Sequence, residues 1–155
     1  MVCLLETRVK ENKSQSIIDR YFKGWKWIHN KKQFYMSVVY GFNEGSTKRS
    51  LWRKLCSLKG SISGKPWLLV GDYNIIAKPE KSSSYDGNPR INLDMREFKE
   101  WVQELEVVDH SYTGPVFTWS NHQKEGVLAR KLDRVLINDK WMQVFVHSTV
   151  DFISP

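Results

Sequence analysis

Two kinds of apolar spacing alternate along this 155-residue chain, and their order restricts it to a layered α/β domain. FYMSVVYGF (34–42), WLLVGD (67–72) and residues 133–137 are short β-branched or aromatic runs, and read as strands. Between the first two, Leu51, Trp52, Leu55 and Leu58 recur at helical spacing behind Ser46, a capping residue, with Gly60 and Gly64 after them. Asn92 or Asp94 starts a second such segment, with Met95, Phe98, Trp101, Val102 and Leu105 on its apolar face. Ile17, Ile18, Tyr21, Phe22 and Trp25 give residues 12–25 the same period. VCLLE (2–6) reads as a short buried strand ending on a carboxylate. Further strands are expected near 106–109, 116–120 and 148–153, and a short helix at 139–145. Residues 78–90 form a polar loop without periodicity, and Thr113-Gly114-Pro115 is a turn. There is no internal repeat or low-complexity tract, and the length suits a single domain.

The net charge is +7 and the pI about 9.4, with basic residues spread along the whole chain. Such a surface favours polyanions, nucleic acid first, although the same excess also serves as solubility charge; both readings stand on composition alone. Lys48, Arg49, Arg53 and Lys54 form a basic helix face, read as solvated surface with phosphate contact second. Trp25, Trp52 and Trp101 fall on apolar helix faces and belong to the core. Cys3 and Cys56 make neither a disulfide framework nor a zinc set, which points to a reducing, intracellular compartment. The N-terminal apolar run ends after Leu5, too short for a signal peptide or membrane span, and no dense Lys/Arg cluster marks a nuclear address. His29, His122 and His147 lie in polar surroundings. Asp109-His110 precedes the TGP turn and reads as surface loop.

Chemistry concentrates in WLLVGDYNII (67–76), where a carboxylate and an amide follow a glycine inside apolar sequence. If the strand persists, Asp72 and Asn74 share one face and Tyr73 points back into the protein. Gly71 clears space for a ligand or for another backbone. A carboxylate that can orient or deprotonate water, beside an amide that can bond a phosphoryl oxygen, suits a reacting phosphate. Gly, Asp and Asn are also turn formers, and on the tetrapeptide alone a simple turn is the stronger reading.

In order, the chain carries LLETR (4–8), SVVYGFN (37–43), LLVGDYN (68–74), FTWSN (117–121) and RKLDRVLIN (130–138). This ordered set resembles the endonuclease/exonuclease/phosphatase superfamily. It looks most like the endonuclease domain of plant LINE-type non-LTR retrotransposons. The resemblance implies a four-layer α/β/β/α sandwich that hydrolyses phosphodiesters with Mg²⁺, Mn²⁺ being a substitute, and DNA as partner. It assigns Glu6 to the metal and Tyr40 and Asn43 to the scissile and neighbouring phosphates. Asp72 would align or activate the attacking water, with Asn74 its partner on the phosphate. Trp119 would lie against the sugar and base beside the cut, and Asp133 would orient a catalytic histidine. No membrane and no small organic cofactor are implied, and the working compartment would be the nucleus.

The chain departs from the pattern in three places. Relatives begin with a strand bearing a metal-site asparagine, carry a longer segment where this chain runs from Trp27 to Phe34, and finish with a Ser-Asp-His motif beyond the position of DFISP. The expectation is therefore a domain truncated at both ends and internally, weakly active or inactive. The alternative from another class is a non-catalytic nucleic-acid-binding remnant. RNA deadenylation and lipid or inositol phosphate hydrolysis, also found in the superfamily, fit the VYGFN, FTWSN and KLDR phrasing less well.

Overall fold

The structure is a computed structural model that describes residues 2–5, 34–123 and 125–153. The expected helix over 12–25, Glu6, Cys3's side chain and His29 lie outside the described residues or side chains. Among the described residues the fold is mixed α/β: one five-stranded sheet, two two-stranded sheets and three α-helices. None of these helices is long and apolar enough to cross a membrane.

The central sheet runs β1 (Val2–Leu5), β2 (Tyr35–Tyr40), β3 (Trp67–Asp72), β8 (Asp133–Asn138), β4 (Val107–Asp109) in spatial order. The first three strands are parallel, while β8 runs antiparallel to both β3 and β4. Between β2 and β3 lies α1 (Gly45–Ile62), and α2 (Leu93–Leu105) leads into β4. The helix α1 begins at Gly45, with Glu44 as its cap residue, so the expected Ser46 cap is corrected: Ser46 already lies within the first turn. The cap of α2 is Asn92, whose side chain accepts the Met95 N–H at 2.9 Å.

The period-2 alternation of the strands divides the core in two. On one face, Val39, Trp67, Leu69 and Leu136 pack against Leu51, Trp52 and Leu55 of α1 and Phe98, Trp101 and Leu105 of α2. Trp52 and Trp101 stack with centroids 4.3 Å apart, so these two are core as expected; Trp25 lies outside the described residues. On the other face, Met36, Leu68, Val135 and Ile137 meet Trp141 of α3 (Asp139–Val144). That face also carries Val150 of β9 (Val150–Asp151), which pairs with β5 (Tyr112–Thr113). The remaining pair, β6 (Trp119–Ser120) and β7 (Ala129–Arg130), is antiparallel. The expected strand at 116–120 shrinks to β6, and β7 and β5 carry no apolar alternation that could have announced them. Loop 78–90 contains a single 3₁₀ turn, Pro79–Lys81. It lies against β7, with the Ser83 N–H on the Ala129 carbonyl at 2.9 Å and the Lys131 N–H on the Lys81 carbonyl at 3.0 Å.

Two readings of polar residues are corrected. Lys48 is 4% exposed and bonds Asp94 of α2 at 2.7 Å, so it is not solvated surface; Arg49 is exposed as expected and pairs with Glu97, and the two ion pairs tie the helices together. His110 is 6% exposed, not surface loop. Its Nε2 lies 2.8 Å from Ser148 Oγ and its Nδ1 3.0 Å from the Ser111 carbonyl, which fastens the β4–β5 link to the segment after α3. The same Ser148 oxygen accepts the Trp141 Nε1–H at 3.0 Å.

Candidate functional site

Asp72 ends β3, and in register it stands between Tyr40, the last residue of β2, and Asp133, the first of β8. Residues paired across neighbouring strands project to the same face, so all three side chains leave the sheet on the side opposite α1 and α2. The Tyr73 N–H bonds the Leu132 carbonyl at 3.1 Å, while the Asp133 N–H goes to Thr118 Oγ at 3.0 Å. Asp72 and Asp133 are thereby a non-hydrogen-bonded pair, the kind in which opposed Cα atoms approach to about 4.5 Å. Neither carboxylate forms an ion pair among the described residues. Burial pushes the Asp72 carboxyl up to about 6; the Asn74 N–H opposes this, and the charge of Asp133 adds to it. Burial also raises Asp133, against the pull of the Thr118 side chain and then of Lys131.

The strand does not persist to Asn74. That residue is left-handed, φ +48°, and its N–H turns back to Asp72 Oδ1 at 2.7 Å. This is an Asx turn, in which the aspartate side chain stands in for a backbone carbonyl. The Asn74 Nδ2 donates to the Gly41 carbonyl at 2.6 Å, and the Gly41 N–H bonds the Asp72 carbonyl at 2.6 Å. Asp72 and Asn74 therefore meet through a turn that locks the ends of β2 and β3, not as alternate side chains of one strand. Tyr73 does point inward and is fully buried beside Trp52. Gly71 serves another backbone: with φ +147°, a Cβ there would strike the Val39 carbonyl oxygen.

Of the other expected site residues, Tyr40, Asn43 and Trp119 are described. Tyr40 is 49% exposed, and Asn43 is exposed two residues beyond Gly41. Trp119 is 41% exposed and pairs with Arg130 in β6–β7. Its neighbour Thr118 reaches the corner, where Oγ accepts the N–H groups of Leu132 and Asp133 at 3.1 and 3.0 Å. Asp133, expected to orient a histidine, thus has Thr118 as its polar neighbour; the histidine of the Asp-His pair, His110, is bonded to Ser111 and Ser148 instead. Glu6 follows the last described residue of β1, which pairs with β2 up to Leu5 and Val39. Among the described residues no three of His, Cys, Asp and Glu gather into a metal-binding group. Two adjacent carboxylates without a cation are nevertheless a donor set that magnesium accepts, since that ion is held by one or two carboxylates and keeps its waters.

Two contributors to the corner were not singled out in sequence. Thr118 lies inside FTWSN and Lys131 inside RKLDR. Alternation alone places Lys131 two residues from Asp133 on an extended strand, which is the signal that could have found it.

No protein-family model matches this sequence, and no curated protein matches it. Among solved structures it is similar to a crystal structure of beta toxin 275-280 from Staphylococcus aureus. The TM-score is 0.38 at 15% identity, over 68% of this chain and 36% of that one. A superposition that loose carries no argument for fold or activity, and the chain spans about a third of that protein's length.

Proposed function

We propose that this chain is a partial phosphodiesterase domain of the endonuclease/exonuclease/phosphatase type, descended from a LINE-type retrotransposon endonuclease that nicks DNA. On this reading the five-stranded sheet with α1 and α2 is one half of a four-layer α/β/β/α sandwich. The observation that carries it is the shared register of Tyr40, Asp72 and Asp133 on three neighbouring strands. These three residues come from three separate motifs, and one sheet level unites them.

The chemistry follows from the corner. A carboxyl held near 6 is ionised at neutral pH yet basic enough to take a proton from an attacking water, the role given to Asp72. The Tyr40 hydroxyl and the Asn43 amide, both exposed, donate to non-bridging oxygens of a DNA phosphate. Asn74 keeps one amide hydrogen for the phosphate after bonding Gly41. Trp119 offers its half-exposed ring to the adjoining sugar and base. Glu6 would hold a magnesium ion, which when bound would neutralise charge building on the phosphate. The +7 surface draws the DNA backbone.

A second reading, a DNA-binding remnant without catalysis, is favoured by Asp133 having Thr118 rather than a histidine beside it. Nicking of supercoiled plasmid with Mg²⁺, paired with duplex binding by fluorescence anisotropy, separates the two. The first reading expects slow nicking abolished by Asp72→Ala; the second expects salt-sensitive binding and no nicking. Nicking that survives Asp72→Ala would remove the corner from the reaction.

A further inference from the structure

The helices α1 and α2 lie side by side and run in the same direction. Lys48 bonds Asp94 at 2.7 Å, Arg49 bonds Glu97 at 3.1 Å, and Lys59 reaches the Glu104 carbonyl at 2.8 Å, so residue numbers climb together along the two helices. Between them a groove of about 370 Å³ opens to solvent. The buried Trp52 and Trp101 floor it, and Cys56 lines it. Arg49 and Arg53 stand on the α1 wall, and Glu97, Glu100 and Glu104 on the α2 wall.

The chain carries +7, yet this lining sets two guanidinium groups against three carboxylates. A wall of carboxylates repels polyanions, so DNA is not its occupant. Arg49 and Glu97 neutralise each other. Arg53, Glu100 and Glu104 are exposed and form no ion pair among the described residues. One row thus offers a free cation and the neighbouring row free anions.

We propose that this groove is a self-association surface, on which two copies of the chain pair about a two-fold axis running along the groove.

The symmetry follows from the rows. A two-fold axis laid across the groove would set α1 on α1 and α2 on α2, like charge on like. An axis along the groove sets the α1 of each copy over the α2 of the other, opposite charge on opposite. Because both helices run the same way, this operation also keeps the levels matched. Arg49 is level with Glu97, so Arg53, one turn later, is level with Glu100. Arg53 of one copy therefore meets Glu100 of the other, and the contact occurs twice. Cys56 comes to one level in both copies, on either side of the axis. Exposed ion pairs contribute little each, so the dimer is weak and sensitive to salt. A foreign segment would have to bring the matching rows; a second copy already has them.

Sedimentation equilibrium on the full chain tests this without reference to hydrolysis. The parent chain should pass from monomer to dimer as concentration rises at low ionic strength, and return to monomer as salt is added. Arg53→Glu or Glu100→Arg alone should weaken the dimer by at least about tenfold, since like charges then meet at two symmetric places. An equimolar mixture of the two variants should recover the parental affinity, because in the mixed pair both contacts are again of opposite sign. In the parent chain a short bismaleimide should join two copies, a link that persists in Cys3→Ser and vanishes in Cys56→Ser. A dimer indifferent to Arg53→Glu, or a mixture that associates no more tightly than its components, overturns the proposal. So does a parent chain that stays monomeric at every concentration, which leaves the groove to a foreign segment of mixed charge.

Discussion

Asp72 and Asp133 oppose each other at the ends of antiparallel strands, in a pair with no backbone hydrogen bonds between them and, among the described residues, no ion pair on either carboxylate. Side chains in such pairs crowd most closely, so the sheet itself forces two like charges together. That arrangement costs stability once both are ionised, and its persistence in the fold is what gives the corner chemical meaning.

The cost is measurable as a pH dependence. Asp72 rises to about 6 on folding from an ordinary value of 3.8, so the folded state binds more protons between those limits. Stability from this group is complete below about 3.8 and is lost as pH rises through about 6. Asp72→Asn keeps an oxygen for the Asn74 N–H and removes the charge. It should match the parent chain at pH 3.5 and exceed it by roughly 2 kcal/mol at pH 7.5, read from urea unfolding at both pH values.

Any hydrolysis that uses Asp72 as base should rise with pH as the carboxyl ionises near 6. Initial nicking rates from pH 5 to 9 at fixed ionic strength test this: a rate that is flat through that step would remove Asp72 as the base.

Gly71→Ala should prevent folding at ambient temperature. The new methyl meets the Val39 carbonyl oxygen, and φ +147° is costly for any side chain. A loss of about 3 kcal/mol or more is expected. Circular dichroism with a thermal scan decides it: a cooperative melt near the parental temperature would refute the close packing of β2 and β3.

The Lys48–Asp94 link should respond asymmetrically. Lys48 is buried and Asp94 partly exposed, so Asp94→Ala strands a charge that Lys48→Met removes. Expected losses are about 2 kcal/mol for Asp94→Ala and under about 1 for Lys48→Met, by denaturant titration.

Ser148→Ala removes the shared acceptor of Trp141 Nε1 and partner of His110 Nε2. Two buried polar groups are left unsatisfied, for about 1–2 kcal/mol. The Trp141 indole N–H resonance should move, providing a local reading beside the unfolding midpoint.

Much of the scaffold was legible because period and capping are local. The cores of β2, β3, β8, α1 and α2 follow from where Val39, Leu69, Leu136, Leu55 and Phe98 fall in their segments. The pairing of Asp72 with Asp133 was not, since alternation fixes a face and says nothing about which distant strand lies alongside. Asn74 was misplaced because its contact is a side chain imitating a backbone carbonyl, which competes with strand geometry at short range. Lys48 and His110 were misjudged for one reason: burial of a polar residue depends on a partner supplied from elsewhere, here Asp94 and Ser148. The two-residue strands hold by pairing and leave no periodic trace.

One oxygen, Oδ1 of Asn138, accepts the Trp67 N–H at 2.9 Å and the Trp141 N–H at 3.0 Å, riveting the start of β3 to the start of α3. The carboxylate Asp72 lies at the opposite end of the same strand, about 17 Å away at the usual rise per residue. Anchorage and reactivity thus occupy separate poles of a single strand. Chemistry can be redesigned at one pole while the other keeps the polypeptide assembled.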